Sequence, residues 1–542
     1  MAEPSPPVLV AGGGPVGMVA ALLLARWGVP SVVLEAAPER VAVGSRSICV
    51  QRDVLDVYHR VGVADALMAR GVTWRTGRTY HQGRELFSFT FPELGRSAYP
   101  GFINIAQTEV EQALEVAVRG QPLIDFRYGH QVVAVTPDDS GVTVDIRTRD
   151  SGSTLRGTHV IAADGARSAV RSALGIEFEG RSFDDKFLIA DVRTDLGYTG
   201  ERRFHFDPTW NPGRQVLVHP QPDSVWRIDF QVPADYDLEA ERRSGELDAR
   251  IRRVTGDAGY ETVWLSVYRF HQRRASTMRV GRVLLAGDAA HLMAPFGARG
   301  LNSGVQDAEN AAWKIAFDRR GWAGPGLLAS YEAERGAAAA ENLRVTGATM
   351  AFLCPSDDSE WGRRRAALAA AATDPTARAA VDSGKLAEPF WYTESPLTTG
   401  EPPADFPRGP GSVRPPIAGV LCPDGPIRLP DGPAAQVPGR SAVRVPDGPA
   451  VRLRELFGDG FVLLAGSDVD PAGLATGGTA GAPVATYLLK GIDEEGIVSA
   501  ALGAGPAWLG LVRPDGHLAA VLDAPDATTV HAALDRARGA HR

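Results

Sequence analysis

The residues best placed to do chemistry lie in the run Gly12-Gly13-Gly14-Pro15-Val16-Gly17 and in the acid Glu35 beyond it. An apolar run, Val8-Leu9-Val10-Ala11, leads into the glycines. An Ala/Leu-rich segment follows to Trp27, then Gly28 and a second apolar run, Ser31-Val32-Val33-Leu34. That order reads as strand, turn, helix, strand. In such a unit Gly12 makes the tight turn, Gly14 lets backbone approach a pyrophosphate, and Gly17 lets helix pack on strand. The amides where the helix opens, after Pro15, face phosphates with favourable partial charge. Glu35, roughly twenty residues past the glycines, accepts from ribose hydroxyls, and an acid there disfavours a 2′-phosphate. The bound dinucleotide is therefore expected to be FAD or NAD rather than NADP.

Further polar residues stand at element ends. Arg46, in the loop ahead of a predicted surface helix over 54–67, reads equally as a phosphate ligand or as a solvated loop arginine. Gln107 precedes a helix predicted over 108–119, with Thr108 and Glu111 as a capping box. Its amide either meets a ligand or simply ends a strand. Val160-Ile161-Ala162-Ala163 stops at Asp164-Gly165. Open α/β sheets bind ligands at the carboxyl ends of strands, although an acidic turn capping the next helix serves as well. The apolar run 281–286 ends in Gly287-Asp288-Ala289-Ala290-His291, followed by a Gly/Pro-rich loop and a helix over 301–317. There Asp288 suits a ribose or ribityl hydroxyl, and the backbone of 295–302 suits a flat polar ring. His291 reads as a packing residue rather than a catalytic one.

Length and composition place these motifs in context. A chain of 542 residues holds two or three domains. A formal charge of −8 argues against nucleic acid as a partner. No stretch is long and apolar enough to cross a membrane, and with no targeting segment the cytoplasm is the expected location. Cys49, Cys354 and Cys422 are scattered without a CxxC, so neither a disulfide framework nor a zinc site is indicated. Runs 132–135, 142–147 and 158–162 suggest a hairpin layer. Alternation over 187–233 and 263–270 suggests a second, strand-rich domain, without a nucleophile–base pair or metal-ligand cluster. Residues 333–380 read as helical with a break near Cys354-Pro355, 389–448 as loop with Pro/Gly/Asp turns, 461–465, 508–512 and 518–521 as strands, and 528–540 as a final helix.

Together these residues resemble the single-component flavoprotein aromatic hydroxylases, the family of para-hydroxybenzoate and phenol hydroxylases. The resemblance runs from residue 8 to about 331. It rests on 12–17 with Glu35, on Arg46 and Gln107, on ADGARSAVR at 163–171 and on GDAAHLMAPFGARGLNSGVQDAENAAWK at 287–314. It implies an α/β protein: a Rossmann-like FAD-binding domain (1–180 and 276–395) with an inserted β-sheet substrate domain (181–275) and a C-terminal thioredoxin-like α/β domain (396–542). Gly12, Gly14, Gly17 and Glu35, with Pro15 and Val16 at the helix start, are then expected to hold the ADP half of FAD. Arg46 and Gln107 are expected at its phosphate and ribityl region. By the same resemblance Asp164 belongs to a motif tied to both FAD and NAD(P)H, and Asp288 to the ribityl and pyrophosphate. Pro295, Gly300, Leu301 and Asn302 flank the isoalloxazine. One departure is Ala298-Arg299-Gly300, where many relatives have Gly-Gln-Gly, which puts the contacts there in question.

The chemistry so implied is that of the flavin, with the protein supplying orientation and electrostatics. NAD(P)H, the co-substrate, reduces FAD; O2 adds at flavin C4a, and the distal oxygen of the hydroperoxide passes to a phenolic or polycyclic aromatic substrate. The site must exclude water and stabilise a phenolate. His205, His219, Arg227 and Tyr268, on middle-domain strands, are the candidates for that task, each also readable as an ordinary strand residue. The expected partners are a small aromatic substrate and O2, with no nucleic acid and no membrane; the assembly is open, a homodimer among the candidates. Another flavin oxygenase on the same scaffold, an epoxidase or a Baeyer–Villiger enzyme, and a non-catalytic flavin-binding protein remain as alternatives. A halogenase is disfavoured by the absence of WxWxIP. The C-terminal unit, lacking CxxC, reads as structural or as a subunit contact.

Overall fold

The computed structural model describes residues 5–41, 47–91, 99–198, 200–429, 451–475 and 480–540. Its organising layer is a six-stranded sheet. From one edge it runs Arg279–Val280, Val283–Leu285, Val160–Ala162, Val8–Ala11, Ser31–Leu34 and Ile124–Arg127. Every neighbouring pair is parallel except the first. Val8–Ala11 is central and buried along its whole length, as a continuous apolar run in a parallel sheet requires. Helix Pro15–Arg26 covers this strand, with Pro15 at its first turn, where a missing N–H costs nothing. The long helix Arg299–Arg319, buried over most of its length, lies beside it.

A second sheet of eight strands forms the other wall. Its order is His291–Leu292, Glu261–Ala275, Phe178–Arg193, Val225–Val232, Gln215–Pro220, Glu201–Phe206, Thr76–His81 and Arg84–Thr90. It draws the 76–90 hairpin from well before the alternating region, so it is built from more of the chain than 187–270. On one face Leu188, Ala190, Trp226, Ile228 and Phe230 pack against Leu247 and Ile251. The alternate residues of the same strands point the other way, because strand side chains reverse at every residue.

Several local expectations need correction. The hairpin layer consists of Gln131–Pro137, Val142–Arg147 and Gly152–Gly157. The strand Val160–Ala162 is not its third member but part of the parallel sheet, because its fully buried run pairs with Val8–Ala11 rather than alternating. The helix expected over 54–67 is two helices, Arg52–Arg60 and Ala64–Arg70, parted at Gly62, whose φ is +79°. Nor is it a surface element: Val54, Leu55, Val57 and Tyr58 are buried. The 107–119 helix begins at Gln107 with Ala106 as its cap and no side-chain cap bond. Glu111 instead accepts from Gln107 Nε2 at 2.8 Å, which removes the partner the Thr108 capping box needed.

The C-terminal unit has a four-stranded sheet ordered Val484–Leu488, Phe461–Ala465, Trp508–Val512, Leu518–Asp523. The first pair is parallel and the rest antiparallel, a thioredoxin-like α/β arrangement. The strand Val484–Leu488 carries no clear alternation and escaped the sequence reading. Among the described residues, no helix is long and apolar enough to cross a membrane.

This unit is fastened to the helices by buried charge. Glu334 accepts from Lys314 Nζ at 2.7 Å and from Arg513 Nη1 and Nη2 at 2.5 and 2.9 Å, and none of the three side chains is solvent-exposed. Asp515 takes a second fork from Arg513 and the indole N–H of Trp313. Removing one member of such a set strands its partners in a low-dielectric interior. Glu334→Gln is expected to lower unfolding free energy by about 3–5 kcal/mol, read as a lower urea midpoint of the transition that includes the C-terminal unit.

Candidate functional site

The carboxyl ends of the central parallel strands converge on one loop crossing, built by three glycines for two reasons. Gly12 has φ +100°, and a Cβ there stands 2.3 Å from the Ala163 carbonyl oxygen. A Cβ on Gly17 stands 2.0 Å from the Gly12 carbonyl oxygen. Gly14 is different: an added Cβ meets nothing within 4 Å. The first two glycines let chain segments touch, whereas the third keeps a space open beside the helix start.

That space belongs to a cavity of 1730 Å³. One ligand site is about 300–1,000 Å³, so this volume suits two ligands side by side. At one end it is lined by Gly14, Pro15, Val16, Gln107, Gly165, Asp288, Pro295, Gly300 and Leu301. At the other it meets the large sheet through His219, Arg227 and Tyr268, with Arg202 and Asp229 beside them. The three separated loops therefore do open on one crevice.

The remaining expected residues stand behind its walls. Glu35 accepts from the backbone N–H of Gly13 at 2.7 Å and of Ala37 at 2.8 Å, bracing the glycine turn. Asp164 takes the Ser168 hydroxyl at 2.6 Å and the Val170 N–H at 3.1 Å; its carboxylate steadies the helix after it, while the backbone of Ala163 and Gly165 lines the cavity. Burial pushes the Asp164 carboxyl up despite those bonds. Asn302 accepts the Gln51 N–H and donates to the carbonyls of Cys49 and Ala298, tying two cavity-wall segments together. His205 stacks on Tyr80 at 4.7 Å. It falls out of phase with the buried face of its strand, where Arg202, Phe204 and Phe206 lie. Burial, with Arg203 beside it, lowers its pKa to about 4. Arg46 lies outside the described residues.

His291 is buried and bonded through Nε2 to Asp307 Oδ2 at 2.7 Å. The same oxygen accepts the Gly287 N–H at 2.9 Å, and Oδ1 accepts Arg335 Nε at 2.6 Å. The histidine thus helps to hold the Gly287-Asp288 turn, consistent with packing. Arg299 lines the cavity and gives its buried guanidinium to Asn342 Oδ1 at 2.6 Å and to the carbonyls of Lys385 and Leu386 in the cavity wall. Burial lowers its pKa to about 10.

These bonds fasten a strap, residues 381–388, along the cavity. Arg202 donates to the Ser383 carbonyl at 2.6 Å and Gln51 to that of Ala387 at 2.6 Å, and the Ala387 N–H reaches the Gly297 carbonyl at 2.8 Å. Aromatic rings close the rest of the wall: Phe187 stacks on Phe270 at 4.5 Å, with Phe296 edge-on to both. Strap and rings set apolar surface around the polar side chains at the sheet end of the cavity.

Arg202 and Asp229 went unnoticed in the sequence. Their signal was phase: Arg202 keeps step with Phe204 and Phe206, while Arg227 and Asp229 alternate with Trp226, Ile228 and Phe230. Arg227 forks onto Asp191, both bonds 2.7 Å, which raises its pKa against the effect of burial.

Comparison with known proteins bears on what this cavity holds. The FAD binding domain family matches residues 5–346. The 3-(3-hydroxy-phenyl)propionate/3-hydroxycinnamic acid hydroxylase of Paraburkholderia xenovorans (strain LB400) is 33% identical over 344 residues, 62% of this chain and 54% of the relative. The chain thus spans little more than half of that protein. The para-nitrophenol 4-monooxygenase of Pseudomonas sp. (strain WBC-3) is 32% identical, covering 68% of this chain and 92% of the relative. The crystal structure of aklavinone-11 hydroxylase in a ternary complex with FAD and aklavinone superposes with a TM-score of 0.77 at 25% identity, covering 99% of this chain and 100% of that one.

The glycine geometry separates folding from binding. Gly17→Ala is expected to destabilise by about 1–3 kcal/mol or more through overpacking, and Gly14→Ala to stay within about 0.5 kcal/mol of the parent. Thermal melts of the two variants in the same buffer check the contrast.

Proposed function

Because the chain belongs to the FAD-binding family of single-component aromatic hydroxylases, we propose that it is an FAD-dependent, NAD(P)H-consuming monooxygenase that hydroxylates a phenolic or polycyclic aromatic substrate. The observation that carries this reading is the single cavity of 1730 Å³ running from the glycine turn to an aromatic-walled sheet. The neighbours named for phenolic or polycyclic ligands support the substrate class.

The residues present fit FAD. The open space beside Gly14 leaves room for a pyrophosphate against the start of helix Pro15–Arg26, where backbone amides and the helix dipole favour anions. Glu35, already oriented by two backbone N–H groups, is the acceptor for a ribose hydroxyl. Gln107 and Asp288 line the stretch beyond, and Pro295, Gly300 and Leu301 offer a wall for a flat ring. When bound, FAD supplies the redox chemistry, taking electrons from NAD(P)H and activating O2.

The chain's own part is to bind, orient and keep dry. Phe187, Phe270 and Phe296, with the strap, exclude water from the sheet end, where low polarity strengthens every electrostatic contact. His219, Arg227 and Tyr268 face the ring to be hydroxylated. The pair Arg227–Asp191 is fixed, so Arg227 offers a steady positive edge rather than a mobile one. We keep the division into FAD-binding, substrate and C-terminal domains as part of this proposal, with the 76–90 hairpin added to the substrate sheet.

Purified protein is expected to be yellow, or to become so with FAD, and to consume NADH or NADPH faster when a phenol is added, giving a product heavier by one oxygen. A colourless protein that FAD cannot reconstitute overturns the reading. In Gly14→Ala, a side chain enters the open cradle; FAD is expected to be lost on gel filtration while the melting curve without FAD is unchanged.

A further inference from the structure

Four adjacent strands present a cross-strand row of polar side chains to the cavity. Arg203 pairs with Val218, which sets Arg202 beside His219 one rung along; His219 pairs with Arg227, and Arg227 with Asp191. The next row is apolar but for one residue: Phe204 pairs with Leu217, Leu217 with Asp229, and Asp229 with Ile189. Asp229 is thus a carboxylate between a leucine and an isoleucine. Its Oδ1 is buried without a hydrogen-bond partner, and its Oδ2 lies 3.9 Å from His219 Nε2. A buried acceptor left unpaired is costly and calls for an explanation.

We propose that Asp229 is the base that takes the proton of the substrate's phenolic hydroxyl, with Arg202 holding the resulting phenolate. This rests on the hydroxylase reading above and adds to it the group that ionises the ring. In the step, the substrate O–H bond breaks, its electron pair stays on the phenol oxygen, and the proton forms a new O–H bond at the Asp229 carboxylate. Nothing is oxidised or reduced, and total charge is conserved. Before the transfer Arg202 acts on an anion at Asp229; after it, the anion is the ligand.

The surroundings suit this exchange. Burial between Leu217 and Ile189 pushes the Asp229 pKa up to about 7, against the pull of Arg227 and Arg202 and with the push of Asp191. A base tuned near the working pH is the efficient one. Burial and the two neighbouring arginines hold the His219 pKa well down, so the imidazole is neutral and leaves the carboxylate as the proton acceptor. Arg202, on the neighbouring strand, gives an N–H to the Ser383 carbonyl rather than to a carboxylate; Asp229, Cys49 and Asp382 act on it through space. Tyr268 on the sheet, and Asp382 and Lys385 on the strap, line the cavity as well. Below the Asp229 titration the carboxyl already carries its proton, so phenol ionisation and hydroxylation are expected to rise with pH through about 7.

The test uses the FAD-loaded enzyme and 2-naphthol, a bicyclic phenol that is neutral in water near pH 7 and whose absorption moves to longer wavelength on ionisation. At a pH just above neutrality the parent protein is expected to bind 2-naphthol ionised and Asp229→Asn to bind it neutral, with Asp229→Glu restoring the ionised band in part. Hydroxylation by Asp229→Asn is expected to fall about 10²–10⁴-fold, with flavin content unchanged. An ionised band retained in Asp229→Asn, or absent in the parent protein, overturns the proposal. Should Asp229→Asn fail to fold, the parent protein decides alone: an ionised fraction that follows 2-naphthol's own titration in water, well above neutrality, without a step near pH 7, overturns it as well. An ionised band without oxygenated product from any phenol defeats the hydroxylase reading and leaves Asp229 as the proton acceptor.

Discussion

The closeness of three backbone segments is the constraint on which the rest of this protein hangs. The turn at Gly12 touches the end of the strand Val160–Ala162, and the first helix touches that same turn at Gly17. Any side chain at either position pushes two walls apart. With both glycines in place, the ends of Val8–Ala11, Val160–Ala162 and Val283–Leu285 share one rim, and residues distant in sequence open on one crevice. Ligand sites at the carboxyl ends of parallel strands arise in this way generally. Here the crevice continues on to a second sheet, which makes it large.

Behind the rim, two helices act as a skeleton of paired charge. Asp307, on Arg299–Arg319, fixes the Gly287 turn, His291 and Arg335 at once. Glu334, on Ala329–Leu353, gathers Lys314 and Arg513. Burying ions is expensive, and apolar packing of the same volume often stabilises more. Their value here is geometric. Charge-assisted bonds are directional, so they set one position for the turn that carries Asp288, and one register for the C-terminal unit, where a greasy contact permits sliding.

What could be read from the chain follows the same physics. Val8–Glu35 was legible because strand, turn, helix and strand are local, and each glycine announces a local need. The middle sheet was legible as strands, but its working face was not. In Glu201–Phe206 the histidine drew attention for its chemistry, while the residue in phase with Phe204 and Phe206 was Arg202. Asp229 passed unremarked because its meaning comes from Leu217 and Ile189 across two ladders, and cross-strand register is not written in either strand alone. Residues 71–91 read as strands with turns, but the same gap hid the sheet they join, whose other strands lie a hundred residues on. Asp164 shows the converse: its helix-capping role stood as an open alternative to ligand binding, because the residues its carboxylate holds, Ser168 and Val170, follow within a few positions.

At Ser383, Lys385, Leu386 and Ala387 the strap is gripped by its own carbonyls, which receive Arg202, Arg299 and Gln51, while the side chains of Asp382 and Glu388 take Thr349 and Arg414. A carbonyl is the same atom whatever side chain its residue bears. At those four carbonyl-held positions the grip on the strap's path therefore does not depend on which side chain is present. A lineage can resize or repolarise the lining by single substitutions, leaving the anchoring arginines untouched. New ligands become accessible by redecorating a fixed frame, without rebuilding it.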